Sequence, residues 1–197
     1  MSTAPRSYSV NSLDTRDTIL AAARAAATAH GYGGLSFREL AKEVGIKSAS
    51  IHYYFPTKGD LAAALARQYT EAARSDFQAI LDAGLDPPAC FKRYVALFRK
   101  ALENGNRMCL CGILAAGHDD LPKEVRAEVV AFADLNVEWI TQVLGRVKGS
   151  KTQTKEQWAQ AIYAAIGGAQ LAARSRGDIA TFDRIVESYR ASGLIPR

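Results

Sequence analysis

The sequence lacks any apolar run long enough to cross a membrane. Its longest uncharged apolar stretch, residues 158–173, has 16 residues and includes two glutamines, whereas a membrane-spanning helix needs about 20 predominantly apolar residues. The polar N-terminus also lacks the apolar segment of a secretory signal. The three cysteines are odd in number and have no framework spacing, which favours a reducing compartment. We therefore expect a cytoplasmic protein that does not enter a membrane.

Catalytic and metal-binding patterns are missing as well. The three histidines, at positions 30, 52 and 118, have no Asp or Glu four residues later, and neither G-x-S-x-G nor H-E-x-x-H occurs. Cys109 and Cys111 form a C-x-C pair, but no second pair of Cys or His lies nearby, so a zinc ion would lack ligands. The sequence therefore favours a protein that is not an enzyme and that holds no metal or cofactor.

The patterns that are present predict helices along almost the whole chain. No stretch shows convincing strand alternation, and 197 residues with 48% hydrophobic content suffice for a small module joined to a larger one. The net charge of +5 mildly favours polyanionic partners. We predict an all-α protein with a flexible arm over residues 1–12, a first helical domain over residues 13–60 and a larger helical domain over residues 61–197.

The clearest local signal in the first domain is a helix–turn–helix pattern. Ser36 and Glu39 match the S-x-x-E capping box, and Gly45 matches the glycine that ends a helix. A second helix, barely two turns long, begins at Ser48 and stops before Pro56. Such a pair can place its second helix in the major groove of DNA. A helical adaptor without DNA binding stays the alternative.

The outward face of the short helix carries the groups expected of a DNA reader. At about 100° per residue, Ile51 and Phe55 fall on one side and anchor the helix on its predecessor. The opposite side and its flanks carry small, hydrogen-bonding and aromatic residues: Ser48, Ala49, Ser50, His52 and Tyr53. Thr57, with Asp60 three residues later, predicts the cap of a long helix that begins with Lys58. Lysine and tyrosine are common phosphate donors.

Residues 14–61 resemble the DNA-binding domain of the TetR family of transcriptional regulators. The resemblance rests on a first helix that ends in an H-G-Y turn, on S-F-R-E-L-A-K-E-V-G-I, and on a short helix that ends in Y-Y-F-P-T-K. It covers about a quarter of the chain, and the remainder matches in helical layout and length only. The sequence departs from the family at His52, where Tyr is usual, and at Ala49, where Gly is frequent.

The resemblance implies a homodimeric regulator, by family habit a repressor, that binds a palindromic double-stranded operator and responds to a small-molecule effector. It implies a DNA-facing set made of Ser36, Arg38, Lys47, Ser48, Ala49, Ser50, His52, Tyr53 and Lys58. Within that set, Ser36, Arg38, Tyr53 and Lys58 would bind phosphate. Because serine discriminates poorly between bases, we expect specificity from Lys47 or His52, from DNA shape or from water-mediated contacts.

By the same resemblance, the larger domain dimerises and encloses an effector pocket whose occupancy changes the spacing of the two DNA-reading heads. The last two long helices would form a four-helix bundle with their partners, and the Ala- and Gly-rich surface of residues 161–172 fits that role, although packing within one chain would give the same pattern. Candidate pocket residues are aromatic or polar side chains on otherwise apolar faces: Phe77, Tyr94, Phe98, Phe132, Asn136, Trp139, Trp158 and Tyr163. This lining predicts an apolar or aromatic effector, and Asn136 stays open between a ligand contact and a structural hydrogen bond.

Cys109 and Cys111 leave two interpretations open. As small apolar side chains they would pack in the core, whereas in some TetR-like regulators a cysteine in this region senses oxidants or electrophiles. Within a helix the two thiols would point about 200° apart, so a direct bridge would require unwinding. For the sensing alternative we expect Arg107 to lower a thiol pKa and Cys90 to act as the resolving partner if the fold brings it near.

Overall fold

A computed structural model describes residues 12–147 and 154–197 of the protein. Within these residues the regular structure is entirely helical, which confirms the predicted all-α class. The α-helices are α1 (Ser12–His30), α2 (Phe37–Val44), α3 (Ser48–Tyr54), α4 (Lys58–Asp82), α5 (Pro87–Glu103), α6 (Leu110–Ala116), α7 (Lys123–Gly145), α8 (Lys155–Arg176) and α9 (Ile179–Ala191). The predicted flexible arm over residues 1–12 lies outside the described residues, except that Ser12 already begins α1.

Side-chain caps fix where α4, α5 and α8 begin. Thr57 and Asp60 form the predicted capping box of α4: the Asp60 N–H donates to Thr57 Oγ1 and the Thr57 N–H donates to Asp60 Oδ2, each at 3.0 Å. The T-x-x-Q pattern that begins at Thr154 forms the same reciprocal box at α8. Asp86 caps α5, whose first turn begins with proline, where a missing N–H costs nothing.

One continuous apolar core runs from α1 to the residues that follow α9. Helix α4 packs along α7, α7 packs against α8, and α8 packs against α9, while α1 lies against α2, α4 and α6. Helix α4 therefore passes from the helix–turn–helix unit into the larger bundle without a break, through the predicted boundary at residues 60 and 61. In the described parts of the chain, no helix is both long and apolar enough to span a membrane.

Candidate functional site

Helix α2 begins and ends as the sequence predicts, except that one of the two hydrogen bonds of its capping box is missing. The Glu39 N–H donates to Ser36 Oγ at 3.4 Å, and Gly45 ends α2 in the left-handed region with φ of 76°. The Glu39 carboxylate, however, accepts from Lys42 Nζ at 3.2 Å and from Arg38 Nε at 3.0 Å instead of returning to the Ser36 N–H. These two cations lower the pKa of Glu39. The predicted reciprocal box is therefore wrong because nearby cations compete for the carboxylate.

The short helix α3 is held by its apolar side and leaves the predicted DNA-reading face to solvent. Ile51 and Phe55 are buried, as predicted. The Arg16 guanidinium lies over the Phe55 ring, 5.3 Å from its centroid, and so ties α1 to the end of α3. On the outward side Ala49 is exposed, and Tyr53 has 81% of its surface exposed. A helix of seven residues is unstable alone, so this inner packing is what presents the outer face.

His52 is exposed but its ring is held in place. The imidazole packs edge-on against Phe37, with ring centroids 4.6 Å apart, and its Nδ1 lies 3.2 Å from the Pro56 carbonyl oxygen. Because a carbonyl only accepts, this contact requires a proton on Nδ1. In the neutral ring Nε2 is then an acceptor, which suits the amino group of cytosine or adenine in the major groove. Nothing in the sequence predicts that this side chain is held at both the ring face and Nδ1.

The remaining predicted DNA contacts lie at the starts of α2, α3 and α4. Arg38 and Lys47 are exposed, whereas Ser36, Ser48 and Ser50 are half-buried. Lys58, also half-buried, has its Nζ 4.2 Å from the centroid of the Tyr32 ring. Burial, with a smaller effect of the Glu124 carboxylate, raises the pKa of Tyr32. The ring is thus neutral and holds the ammonium group by a cation–π contact.

This helix–turn–helix geometry agrees with what known proteins show. The sequence model of a protein family, described as bacterial regulatory proteins of the tetR family, matches residues 19–65. A TetR-family transcriptional regulator from Agrobacterium tumefaciens is 32% identical, with 90% of this chain and 96% of that chain covered and a TM-score of 0.85. This chain belongs to the TetR family of transcriptional regulators. Its family and its structural relatives are regulators rather than enzymes.

Other solved structures share the fold over nearly the whole chain. A TetR regulator from Legionella pneumophila is 26% identical, covers 98% of this chain and 99% of its own, and has a TM-score of 0.83. The reduced form of NemR from E. coli is 22% identical, covers 90% and 96% of the two chains, and has a TM-score of 0.77. No curated protein sequence matches this chain significantly.

In this TetR-family chain, we call α1 to α3 the head and the remaining helices the bundle. A cleft of about 560 Å³ opens between the head and the bundle. Helices α1, α4 and α5 and the turn before α6 form its walls, and Phe132 of α7 contributes to its floor. Of the eight candidate pocket residues, three line the cleft: Phe77, Phe98 and Phe132. Tyr69, Arg24, Lys100 and Arg107 also line it. Sequence reasoning missed these four because only the tertiary packing of α1 against the bundle brings them to one cleft.

The other five candidates do not line this cleft, and in four of them a polar side-chain atom bonds within the protein. Tyr94 stacks on Trp139 with ring centroids 5.1 Å apart, and the Trp139 Nε1–H donates to the Phe77 carbonyl at 3.0 Å. The Tyr94 hydroxyl donates to Asn136 Oδ1 at 2.9 Å, and Asn136 Nδ2 donates to the Phe132 carbonyl at 2.7 Å. Asn136 therefore makes the structural bond between α5 and α7.

The last two candidates lie on α8. The Trp158 Nε1–H donates to the Leu194 carbonyl, and Tyr163 is half-buried.

Cys109 and Cys111 are buried free thiols at the start of α6. Cys109 lies at the N-cap rather than inside the helix, and its Sγ accepts from the Gly112 N–H at 3.3 Å. Burial raises the pKa of Cys109 to about 11 and raises that of Cys111 as well. The expected lowering of a thiol pKa by Arg107 is wrong, since desolvation of the thiols dominates.

Within residues 12–147 and 154–197, no group of three or more His, Cys, Asp or Glu side chains is arranged to hold a metal ion.

Proposed function

We propose that this regulator is a homodimeric repressor that binds a palindromic operator through α3 and is released by a small, mostly apolar or aromatic effector. The observation that carries the proposal is the outward face of α3. Its inner side is fixed by buried Ile51 and Phe55, yet the large aromatic side chain of Tyr53 is 81% exposed. An anchored helix that leaves such a side chain in water, in a head that also exposes Lys47 and Arg38, suits a polyanionic partner.

The contacts divide into those that position the protein and those that read bases. We assign phosphate binding to Arg38, Tyr53 and Lys58, and to Ser36, whose hydroxyl accepts the cap bond and still has a proton to donate. We assign base contacts to Lys47, Ser48, Ser50 and His52, with Ala49 allowing close approach to the groove. Two recognition helices would then enter successive major grooves roughly 34–36 Å apart.

The experiment that tests DNA reading selects duplexes from a random pool and measures affinity by fluorescence anisotropy. Lys58→Ala should weaken all sequences alike and lower the slope of log affinity against log salt by about 1 per protomer. Ser50→Ala with His52→Ala should instead change which bases are preferred. Lys92→Ala is the matched control, because Lys92 is an exposed lysine on α5 of the larger bundle. Enrichment of no duplex, or a flat salt response, would contradict the proposal.

The proposed dimer surface lies on α8. Ala161, Ala164, Gly168 and Leu171 are all exposed and follow at spacings of three and four residues, so they form one stripe. A Cβ atom built at Gly167 or Gly168 meets no other atom within 4 Å. Close packing within the chain therefore does not explain these glycines, and a partner helix does. Leu171, with 59% of its surface exposed, would be covered by that partner.

The effector would act through the cleft between head and bundle. The cleft takes its walls from α1 of the head and from α4 and α5 of the bundle, so a molecule inside it contacts both parts. Its volume of about 560 Å³ lies within the roughly 300–1,000 Å³ of small-molecule sites. Occupancy that shifts α1 or α4 would change the spacing of the two heads and release the operator. Since the target is DNA, we place this action in the cytoplasm.

The alternative is a repressor that senses oxidants or electrophiles through Cys109 or Cys111. Its support is position, because Met108 and Leu110, which flank Cys109, both line the cleft. Burial opposes it, since a raised pKa leaves little of the reactive thiolate at neutral pH. If a mild thiol oxidant releases the operator, and Cys109→Ser or Cys111→Ser abolishes that release, the sensing mechanism holds. Equal binding before and after oxidation would contradict it.

A further inference from the structure

We propose that the cleft between head and bundle selects an aromatic molecule with a single negative charge, such as an aromatic carboxylic acid. This inference rests on the proposed function of the cleft as the effector site and adds the chemical class of the effector. It follows from two properties of the lining that lie side by side, an aromatic floor and a set of cations with few opposing carboxylates.

The floor of the cleft is aromatic and already packed. The rings of Tyr69 and Phe132 lie against each other with centroids 5.2 Å apart. Phe77 and Phe98 are buried and complete this part of the lining. Both rings contact Tyr94 behind them, with centroid distances of 5.6 and 5.0 Å, so the floor is backed by the core. A flat aromatic body suits such a surface through offset or edge-to-face ring contacts.

Three cations line the same cleft, namely Arg24, Lys100 and Arg107, against one carboxylate, Asp76. The Arg24 guanidinium lies over the Tyr69 ring, 5.0 Å from its centroid, so it is already held beside the floor. In the described parts of the chain, the side chains of Lys100 and Arg107 form neither a hydrogen bond nor an ion pair. These two groups are therefore available to an anion that enters the cleft.

The energetics favour an anionic over a neutral occupant. A neutral aromatic molecule would remove water from the cations and give no charge in return, which is unfavourable. A carboxylate or sulfonate would replace that water with charge-assisted hydrogen bonds, which are about twice as strong as neutral ones. Asp76, on the α4 wall of the cleft, would repel a ligand with several negative charges. The lining thus favours one anionic group on an apolar body.

The position of the cations also suggests how such a molecule acts. Arg24 belongs to α1 of the head, Lys100 to α5, and Arg107 to the turn before α6. An anion that binds Arg24 together with either of the other two would join the head to the bundle. A neutral ring on the aromatic floor would touch α1 only by van der Waals contact, so the charge is what adds a polar link between the ligand and the head.

Two fluorescent probes test this inference on the full-length protein: 8-anilino-1-naphthalenesulfonate, an aromatic monoanion, and N-phenyl-1-naphthylamine, which lacks its sulfonate. We expect the anionic probe to bind at least about tenfold more tightly, a difference of about 1.4 kcal/mol. Lys100→Gln with Arg107→Gln should remove most of that preference. Lys92→Gln with Arg93→Gln removes the same charge from exposed positions of α5 and should leave it unchanged. Lys100→Arg with Arg107→Lys keeps the charge and should retain the preference.

Two results would overturn the inference. One is equal affinity of the wild-type protein for the two probes, which needs no variant and no assumption about folding. The other is an equal loss of preference in the Lys92/Arg93 control, which would assign the effect to overall charge. Operator binding is measured on the same wild-type sample without probe. If the operator binds and the probes show no charge preference, only this inference fails, whereas absence of operator binding refutes the proposed function itself.

Discussion

Replacement of Leu171 by alanine should strongly weaken the proposed dimer, because a two-fold interface on α8 would bury this side chain in both protomers. The side chain is 59% exposed in a single chain, and full burial of a leucine is worth about 1.5–3 kcal/mol. Covering the exposed part, less the Cβ that alanine keeps, leaves about 0.7–1.3 kcal/mol per copy. A two-fold interface contains the residue twice, so the loss doubles to about 1.4–2.6 kcal/mol. The dimer dissociation constant should rise about 10- to 80-fold.

Sedimentation equilibrium over a dilution series measures this constant directly. Val130→Ala is the matched control, because Val130 of α7 is also an exposed apolar side chain, with 57% of its surface exposed, but lies outside the stripe on α8. It should change the constant by less than about twofold, as is usual for surface changes. A Leu171→Ala dimer as tight as wild type, or an equal loss in the control, would refute the assignment of the interface to α8.

Three further predictions concern the core and the thiols. Tyr94→Phe leaves the buried Asn136 Oδ1 without its donor, so calorimetry should show a loss of about 1–3 kcal/mol; unchanged stability would contradict a structural role for this pair. In urea unfolding, Ile51→Ala should cost about 2–5 kcal/mol and Ile51→Val only about 0.5–1.5, and equal small losses would mean that α3 is not anchored there. Cys109, whose pKa burial raises from 9.0 to about 11, should react slowly with iodoacetamide at pH 8. Its contribution to stability should be complete below pH 9 and lost as the pH approaches 11, and rapid labelling at pH 8 would contradict its burial.

Local sequence rules predicted most of the helix boundaries and the anchoring of α3. Capping pairs such as Thr57 and Asp60 act over three residues, so their chemistry is visible in the sequence itself. The burial of Ile51 and Phe55 likewise follows from helical spacing alone. The Ser36–Glu39 box failed in one half because Lys42 and Arg38 compete for the same carboxylate, and local patterns do not rank such competitors.

The lining of the cleft was much harder to predict, because a cleft depends on how distant helices meet. Tyr94, Asn136 and Trp139 looked like pocket residues since they are polar or aromatic on apolar faces, yet they satisfy one another in the core. Arg24 gave no such signal, because it is an exposed cation of α1, and only the fold places Tyr69 of α4 beneath it. Side-chain type predicts what a residue can bind, and only tertiary structure decides whether that partner lies inside the protein.

We propose above that α3 of this TetR-family regulator reads operator DNA as part of a dimer. To test this, duplexes are selected from a random pool, and anisotropy with sedimentation determines the enriched sequence and the number of protomers bound. We expect an enriched palindrome bound by an even number of protomers, with affinity that falls steeply with salt and with a base preference that changes in the Ser50→Ala, His52→Ala variant. Binding of single protomers, or the same preference in that variant, would contradict it.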